Sequence, residues 1–565
     1  MHQPYTIEQH RHTMAHILAQ ALLRLYPDAK LGIGPVVDNG FYYEVDVENK
    51  ITENDLKKIE NEMISIAKEN LPVTQINVSK DEAYNLLLHQ GQIYKTEILE
   101  EIQANEVSLF KTGEEFFDLC SGPHVARTGH VGFFKLTKIE EGYWKGKPSR
   151  PIMQKIFGIG FIKKDQLEKY FEAQQILKQK DHRILGPKLG YYQIFQNANI
   201  ELPIWLPKGK IVRNIIVDKL REEKSQQGFD EIETTCLIPV SPEFISLGSE
   251  NIQFGEIKNN QERYILRIET TPLHYQFYKL KTRSYRELPI RVYETGYLFR
   301  NEYNNELYGL KKNKIFTADS NNIFCTEEQL FEELIFIYNL TTKILTKFGL
   351  KDYIIQLSTN SENTDKRFKW ADNVLRKVVE SLKLSIIEID DKYTENGPKI
   401  ELFVKDIFGK EWQISSIQLD IFSTIKHNLS YITSTGTKKE VVVIHVTFIG
   451  SLERFISLLI EHTEGNLPIW LSPIQARVLP ISKKYNSYTD SIVEKLTISG
   501  YRIDSDKKDE TLQARIKIAE DEKIPYMLIV GSKEEDNNSI SVRPREKPEL
   551  GLLKLEEFIN LLKEN

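Results

Sequence analysis

The sequence is short of the features that define several large classes of protein. It has three cysteines, Cys120, Cys236 and Cys325, and so sparse and odd a count argues against a disulfide framework and for a reducing compartment. It has no run of about 18 apolar residues and no secretory signal at its start, which excludes a spanning helix and argues against export. Its net charge of −6 excludes a general basic field, so any RNA contact must come from local patches.

What the sequence does have is the composition of a globular protein with several domains. Hydrophobic residues make up 40% and charged residues 28%, enough for several separate cores and too apolar for a largely disordered chain. At about 100–200 residues per domain, the length predicts three or four domains. We expect a soluble, cytoplasmic protein that binds neither membranes nor DNA.

Turn and helix signals divide the chain into four segments. Residues 1–164 alternate helical and strand patterns, beginning with a predicted helix at Ile7–Leu25. A charged helical stretch at 165–187 ends at a Gly-Pro pair. Residues 188–463 mix helices with β-rich stretches, and 466–565 alternate strand and helix, which predicts a small domain with a parallel or mixed sheet.

Two pairs of proton- or metal-binding side chains stand in the first segment. His12 and His16 are four residues apart, so they share one face of the predicted helix. Cys120 and His124 form a second pair with the same spacing. Such a set can form a tetrahedral metal site or a polar pocket for hydrolysis. Two histidines alone more often mark a surface helix, but the second pair favours the functional interpretation.

The middle segment carries two arginine motifs, Phe-Arg-Asn-Glu at 299–302 and Gly-Ser-Leu-Glu-Arg at 450–454. An arginine can bind a phosphate bidentately and neutralise the charge that develops when a phosphoanhydride is attacked. Phe316 is suited to stack on an adenine. An Arg-x-Glu pattern alone is no signal, because surface ion pairs use the same residues, so the prediction depends on order and context.

Taken together, these motifs resemble the threonyl-tRNA synthetase family. The resemblance runs in register over nearly the whole chain, without a counterpart of the small ubiquitin-like domain that usually precedes the editing domain. The segments that carry it are 11–16, 34–43, 118–125, 299–302, 397–401 and 450–455.

The resemblance implies an α+β fold and a class II aminoacyl-tRNA ligase. The expected domains are an editing domain at 1–164, a linker helix at 165–187, a catalytic domain on an antiparallel sheet at 188–463, and an α/β anticodon-binding domain at 466–565. The partners would be ATP with Mg²⁺, an amino acid and a tRNA. The protein would be a homodimer with Pro239 at its interface.

The same resemblance assigns residues to each site. Those for ATP are Arg300, Glu302, Lys314, Phe316, Gln413, Gln418 and Arg454, of which Arg300, Glu302 and Arg454 would be catalytic. Those for the amino acid are Glu269, Thr271, Ser320, Asn322, Asn396, Lys399 and His445. The editing pocket would contain His12, His16, Cys120, His124, Tyr43, Lys95 and Asp118, and the anticodon would contact Arg543 and Arg545.

The amino-acid pocket departs from the family pattern. The family holds threonine through a zinc ion bound by one cysteine and two histidines, and here His445 remains while Thr271 and Asn322 stand at the other positions. Because a hydroxyl and an amide are poor zinc ligands, we expect no zinc in the catalytic domain. For the editing domain the resemblance leaves a metal undecided. Ser320 replaces an aspartate, and Ser249 a histidine associated with aminoacyl transfer.

Glu269 offers a replacement for the metal. Segment 266–270 resembles that of zinc-free class II synthetases, such as those for glycine and histidine, in which the glutamate binds the α-ammonium group of the substrate. The alternative is that Glu269 pairs with Arg267 or another basic residue nearby. If it binds the ammonium group, its carboxylate should point into the cavity beside the α-phosphate site.

Three functions remain open from the sequence. The first, which the intact ATP and editing motifs favour, is an aminoacyl-tRNA ligase of threonyl type with an amino-acid pocket rebuilt without zinc, for threonine or, in a paralogue, for another amino acid. The second is a hydrolase that only edits mischarged tRNA. The third is an RNA-binding regulatory protein with a silent synthetic site.

Overall fold

The structure, a computed structural model, describes residues 5–147, 149–197, 200–241, 244, 253–303, 306–391, 396–545 and 548–564. It divides into two compact units, one ending at Ile176 and the other beginning at Leu177. Among the described residues no helix is both long and apolar enough to cross a membrane. All three cysteines are free thiols.

The first unit packs helices against two antiparallel sheets. The helices are α1 (Ile7–Leu25), α2 (Leu56–Glu69), α3 (Lys80–His89), α4 (Ile93–Glu101) and α5 (Lys164–Lys180), the last of which runs past the end of the unit. The strands are β1 (Lys30–Leu31), β2 (Val36–Val37), β3 (Gly40–Asp46), β4 (Val73–Ser79), β5 (Glu106–Thr112), β6 (Phe116–Leu119), β7 (Phe133–Tyr143) and β8 (Ile152–Phe161). One sheet has the order β1-β3-β8-β7 with β2 beside β3, and the other has the order β4-β5-β6.

Helix α1, which has the predicted bounds, runs through the core of the first unit. A capping box starts it, because the Thr6 side chain accepts from the Gln9 amide while the Gln9 side chain accepts from the Thr6 amide. Every residue from 13 to 22 is buried. The helix packs against the β1-β3-β8-β7 sheet and α2. A helix buried on most of its faces carries its polar side chains inside the protein. His16 therefore lies in the interior and His12 at its edge.

The stretch predicted as one linker helix forms two helices. Helix α5 ends at Lys180, and α6 (His182–Lys188) begins after Asp181, whose carboxylate accepts from the Arg183 amide at 2.8 Å. The prediction that the helix ends at Gly186-Pro187 is wrong, because Pro187 lies inside α6. In so short a helix a proline near the end removes a single backbone hydrogen bond.

The second unit contains the remaining elements. In chain order its strands are β9 (Tyr192–Asn197), β10 (Ile200–Trp205), β11 (Phe229–Glu231), β12 (Leu237–Pro239), β13 (Ile257–Asn259), β14 (Glu262–Leu266), β15 (Arg283–Ser284), β16 (Ile290–Phe299), β17 (Ile315–Cys325), β18 (Ile354–Thr359), β19 (Ile387–Asp390), β20 (Lys399–Lys405), β21 (Glu411–Asp420), β22 (Ser430–Ile432), β23 (Lys438–Glu440), β24 (Val442–Thr447), β25 (Ala476–Pro480), β26 (Ile503–Ser505), β27 (Tyr526–Val530), β28 (Ile540–Pro544) and β29 (Gly551–Leu553). Its further helices are α7 (Pro207–Ser225), α8 (Thr271–Lys279), α9 (Glu327–Lys347), α10 (Lys366–Ser381), α11 (Ser423–Lys426), α12 (Leu452–His462), α13 (Asn486–Ile498), α14 (Leu512–Asp521), α15 (Ser532–Asp536) and α16 (Leu555–Glu564).

A sheet of eight strands, in the order β11-β16-β17-β24-β21-β20-β18-β19, forms the centre of the second unit. It is antiparallel except at its two edges, where β11 pairs with β16 and β19 with β18 in parallel. The predicted α+β fold with an antiparallel central sheet is confirmed. The last segment has its own sheet, β26-β25-β27-β28-β29, in which the first three strands are parallel, so the predicted mixed sheet is confirmed as well.

The register of the central strands brings distant residues to one face of the large sheet. Asn322 on β17 lies opposite His445 on β24, and His445 lies opposite Gln418 on β21. Because alternate side chains of a strand share a face, Ser320 and Phe316 lie on the same face as Asn322.

Two candidate active sites

A cavity of about 810 Å³ opens over the central strands of the large sheet. Its walls come from the large sheet, the segment before α8 and the start of α12. Most of the residues predicted for ATP and the amino acid line it, namely Glu269, Thr271, Arg300, Glu302, Phe316, Ser320, Asn396, Gln413, Gln418, His445 and Arg454.

Two arginines converge on this cavity. Arg300 follows β16 and donates from Nε to the carbonyl of Ile268 at 3.3 Å. Arg454, in the first turn of α12, donates from Nε to the Lys311 carbonyl at 2.9 Å and from Nη1 to the Gln413 carbonyl at 3.0 Å. Burial, together with the charge of Arg300, lowers the pKa of Arg454 to about 10. Two cations that repel each other inside a cavity favour an anion between them.

Aromatic rings lie beside both guanidinium groups. That of Arg300 is 5.3 Å from the centre of the Phe316 ring, and that of Arg454 is 5.4 Å from the centre of the Trp412 ring. Glu302 lies 3.1 Å from Nζ of Lys312. Trp412 was not predicted, because it matches no motif and reaches the site only by packing beside Arg454. This end of the cavity can hold a flat base and a phosphate chain.

Glu269 lines the cavity just before α8. Burial lowers the pKa of Arg300, and the charges of Glu269 and Glu302 oppose that shift. Arg267, the alternative partner of Glu269, instead bonds to Glu294 at 2.7 Å and to the Tyr297 carbonyl at 2.8 Å. An acidic side chain therefore lines the cavity near Arg300.

Some predicted residues lie outside the cavity wall. Lys314 donates to Oδ1 of Asn301 at 3.0 Å, and Nζ of Lys399 lies 2.9 Å from Glu401. Neither lysine lines the cavity in this structure. Asn322 is buried behind the wall, 1% exposed. Ser249 falls outside the described residues.

His445 has two partners that the sequence analysis missed. Its Nε2 lies 2.7 Å from Oδ2 of Asp420 and 3.0 Å from the hydroxyl of Tyr275, and that hydroxyl donates to Asp420 at 2.8 Å. Strand alternation could have found Asp420, because it stands two residues after Gln418 on β21.

A second site lies in the first unit. Sγ of Cys120 is 3.2 Å from Nε2 of His12 and 3.4 Å from Nε2 of His124. The ring centre of His124 is 4.2 Å from those of both His12 and His16. The structure thus brings the four predicted side chains into one cluster, with one ligand atom from each lying within 4.8 Å of the others. This donor set could hold Zn²⁺.

The other three residues predicted for this pocket stand behind His16. Asp118 lies 3.3 Å from Nε2 of His16, accepts from the Tyr43 hydroxyl at 2.5 Å, and pairs with Nζ of Lys95 at 2.5 Å. All four side chains are buried. A buried carboxylate with a cationic partner and two further donors is a fixed acceptor that orients the imidazole.

Thr13, which the sequence analysis missed, orients His124. Its hydroxyl donates to the Gln9 carbonyl at 2.9 Å and lies 3.1 Å from Nδ1 of His124. That donation uses the only hydrogen of the Thr13 hydroxyl. The hydroxyl oxygen therefore accepts a hydrogen bond from Nδ1–H of His124, which leaves the lone pair on Nε2 of His124 facing Cys120. The position of Thr13 within the His-x-x-x-His motif was the available signal.

Burial keeps this cluster uncharged. It is the largest cause that lowers the pKa values of His12, His16 and His124, and it raises the pKa of Cys120 to about 11. Near neutral pH the cluster therefore presents neutral imidazoles and a protonated thiol. Such groups can orient a water and move its proton, whereas a thiolate nucleophile is absent at that pH.

Comparisons with known proteins identify domains in both units. Family models match 107–156 (threonyl and alanyl tRNA synthetase second additional domain), 253–463 (tRNA synthetase class II core domain) and 475–565 (anticodon binding domain). The threonine–tRNA ligase of Thermotoga maritima is 39% identical over 573 residues, which cover 100% of this chain and 89% of that protein. The chain belongs to the threonine–tRNA ligase family. The relative from Clostridioides difficile is 38% identical, covering 98% of this chain and 87% of its own.

A comparison with solved structures also finds a member of this family. The RNA binding domain of threonyl-tRNA synthetase from Cryptosporidium parvum Iowa II has a TM-score of 0.64 at 30% identity, covering 68% of this chain and 98% of that one. A prolyl-tRNA synthetase of Cryptosporidium parvum, at 12% identity and a TM-score of 0.53 over 69% of this chain and 75% of that one, shares the fold alone. As a member of the family, the chain is an aminoacyl-tRNA ligase with an editing domain.

The two arginines predicted for the anticodon have different surroundings in this ligase. Arg543 on β28 is partly exposed and lies 3.2 Å from Glu520, so a phosphate or base edge could replace that exposed pair. Arg545 donates to the backbone carbonyl of Lys523. Both side chains are half-buried.

Cys120→Ser is expected to keep the rate of tRNA deacylation within about tenfold, because a neutral hydroxyl can replace a neutral thiol as a hydrogen-bond partner. Hydrolysis of a mischarged threonine tRNA, measured at pH 7.5, tests this. A loss of several hundredfold would instead mean that the sulfur reacts or binds a metal.

Proposed function

We propose that the large cavity forms an aminoacyl-adenylate from ATP–Mg²⁺ and threonine without zinc, and that the acyl group then passes to tRNA. The cluster around Cys120 would hydrolyse tRNA that carries a wrong amino acid. The observation that carries the proposal is the meeting of Arg300, Arg454 and Glu269 in one cavity. It supplies two cations for a phosphate and one anion for an ammonium group.

The side chains suit attack of an amino-acid carboxylate on the α-phosphorus. The carboxylate oxygen forms the new P–O bond, and the bond to the pyrophosphate oxygen breaks. Arg300 and Arg454 face the negative charge on the pentavalent phosphorus, where fixed donors are most effective. Phe316 can stack on the adenine, and Glu269, which lies near Arg300, can hold the α-ammonium group.

A zinc ion does not suit the donor set of the amino-acid end. Thr271 offers a neutral hydroxyl, and Asn322 offers an amide that contacts His445 and His274. Neither is a ligand that Zn²⁺ prefers. His445 contacts protein partners through both ring nitrogens. These contacts support a pocket that works without the metal.

Glu269→Gln is expected to raise the KM for the amino acid about 10- to 100-fold with little change in the KM for ATP, because a charge-assisted bond to the ammonium group becomes a neutral one. Amino-acid-dependent ATP–pyrophosphate exchange measures both constants. Glu262→Gln, at an exposed site on β14, is the matched control. An unchanged KM for the amino acid would place the ammonium group elsewhere.

Exchange with each amino acid in turn tests the proposed function itself. Exchange with threonine supports it, and exchange with another amino acid alone identifies a paralogue with a changed substrate. Failure of every amino acid, with deacylation retained, would support an enzyme that only edits. Failure of both activities would support a regulatory protein.

Two further parts of the proposal concern the whole protein. We propose a homodimer that uses the surface around β12, where Pro239 and Leu237 are exposed. Ile257 on β13, in the same small sheet, is 45% exposed, and such apolar side chains suit an interface. Sedimentation equilibrium checks the mass.

We also propose a cytoplasmic location, where tRNA and ATP are present.

A further inference from the structure

A chain of hydrogen bonds fills the place where the family's zinc ligands stand. Nδ2 of Asn322 lies 2.6 Å from Nδ1 of His274, and Oδ1 of Asn322 contacts Nδ1 of His445. At one end Nε2 of His274 is 3.4 Å from Glu294, and at the other Nε2 of His445 is 2.7 Å from Asp420. We call these five residues the histidine–amide chain.

The histidine–amide chain is inaccessible to water along most of its length. Glu294, His274, Asn322 and Asp420 are each at most 2% exposed, and the side chain of His445 is 16% exposed. Buried polar groups of this kind need partners, and an unpaired one costs roughly 1–3 kcal/mol. The five side chains supply those partners to one another, so a change at one end affects the other.

The direction of the bonds follows from the Glu294 end. Burial raises the pKa of Glu294, but its bonds from His274, Thr234 and Arg267 lower it below the usual value. The ionised carboxylate is an acceptor only, so His274 donates from Nε2 and must accept through Nδ1. That nitrogen takes a hydrogen from the Asn322 amide, which turns the amide oxygen towards His445.

The Asp420 end fixes the other side of the His445 ring. Asp420 accepts from the backbone amides of Phe422 and Ser423 at 3.1 and 2.9 Å and from the Tyr275 hydroxyl at 2.8 Å. His445 is thus held at both ring nitrogens. Both nitrogens contact protein oxygens, Oδ1 of Asn322 and Oδ2 of Asp420, so a metal could bind either one only by displacing a protein partner.

We propose that His274 and Asn322 are positioning residues that hold His445 as a closed, metal-free wall of the amino-acid pocket. The hydroxyls of Thr271 and Ser320 line the same cavity and would bond to the hydroxyl of the substrate side chain. A pocket built to bond a hydroxyl discriminates against an isostere that lacks one. This inference rests on the proposed function, because it assigns the means by which the amino acid is selected.

His274→Phe breaks the chain while it keeps an aromatic ring at the same place. We expect the KM for threonine to rise at least tenfold, the preference for threonine over valine to fall at least tenfold, and the KM for ATP to stay the same. His274→Asn, whose side-chain oxygen can stand where Nδ1 stood, should recover most of the preference.

Thr341→Val is the control for stability alone. Thr341 is buried in α9 and donates to the Ile337 carbonyl at 2.8 Å, and it does not line the cavity. The variant should lower the melting temperature without changing either KM or the threonine-to-valine ratio. If His274→Phe folds and keeps the wild-type ratio, or if Thr341→Val changes the ratio equally, the proposal is overturned.

A second measurement does not depend on activity. In the full-length protein labelled with ¹⁵N-histidine, NMR should show slowly exchanging ring N–H protons from His274 and His445, and His274→Phe should remove the slow exchange of the His445 proton. Absence of that proton from the wild-type spectrum overturns the histidine–amide chain. Failure of every amino acid in exchange, with the proton present, instead overturns the proposed function.

Discussion

Replacement of Arg300 or Arg454 by alanine is expected to reduce ATP–pyrophosphate exchange by about 10³-fold, because each guanidinium faces charge that grows in the transition state. Such a loss corresponds to roughly 4 kcal/mol at the barrier. Both side chains line the cavity and are partly buried. Exchange at saturating amino acid and varied ATP measures the loss, and circular dichroism checks the fold.

The control for this experiment is Arg221→Ala. Arg221 pairs with Glu231 at an exposed site, and an exposed pair contributes little to stability or function. The control should exchange at the wild-type rate. If Arg300→Ala or Arg454→Ala exchanged at that rate too, the α-phosphate would lie elsewhere in the cavity.

Much of the fold and of both sites could be predicted from local patterns. The apolar spacing of 7–25 predicts α1, and the four-residue spacing of His12 and His16 predicts that both lie on one face of that helix. Each arginine motif lies just after a strand: the first follows from the end of β16, and the second leads into the first turn of α12. These features depend on residues close in the sequence, and periodicity reports such residues well.

The histidine–amide chain could not be predicted in this way. Asn322 is 48 positions from His274 and 123 positions from His445. Strand register brings Asn322 beside His445, and the contact of α8 with β17 brings His274 to Asn322. Lys314 and Lys399 each match a motif, but the motif does not give their partners, which are Asn301 and Glu401. A motif gives the identity of a residue, whereas its partners decide where the side chain points.

His12→Ala with His16→Ala is expected to reduce deacylation of seryl-tRNA at least about 10³-fold without any effect on amino-acid activation. Burial keeps both imidazoles neutral, and a neutral imidazole can accept a proton from an attacking water. General acid–base catalysis contributes about 10²- to 10⁴-fold, so loss of two such groups should exceed loss of one. Activation should persist because the arginine site lies in the other compact unit.

The interpretation depends on separating chemistry from folding. His16 is buried, and its removal leaves a cavity and deprives Asp118 of a partner, so a fall in melting temperature is expected. His12→Ala alone, at a half-buried site, should keep the fold and still lose about 10²-fold in deacylation. His89→Ala, an exposed histidine of the same unit, should change nothing. Wild-type deacylation after dialysis against a chelator would show that the imidazoles act without a metal, whereas wild-type deacylation by His12→Ala would show that His12 is structural.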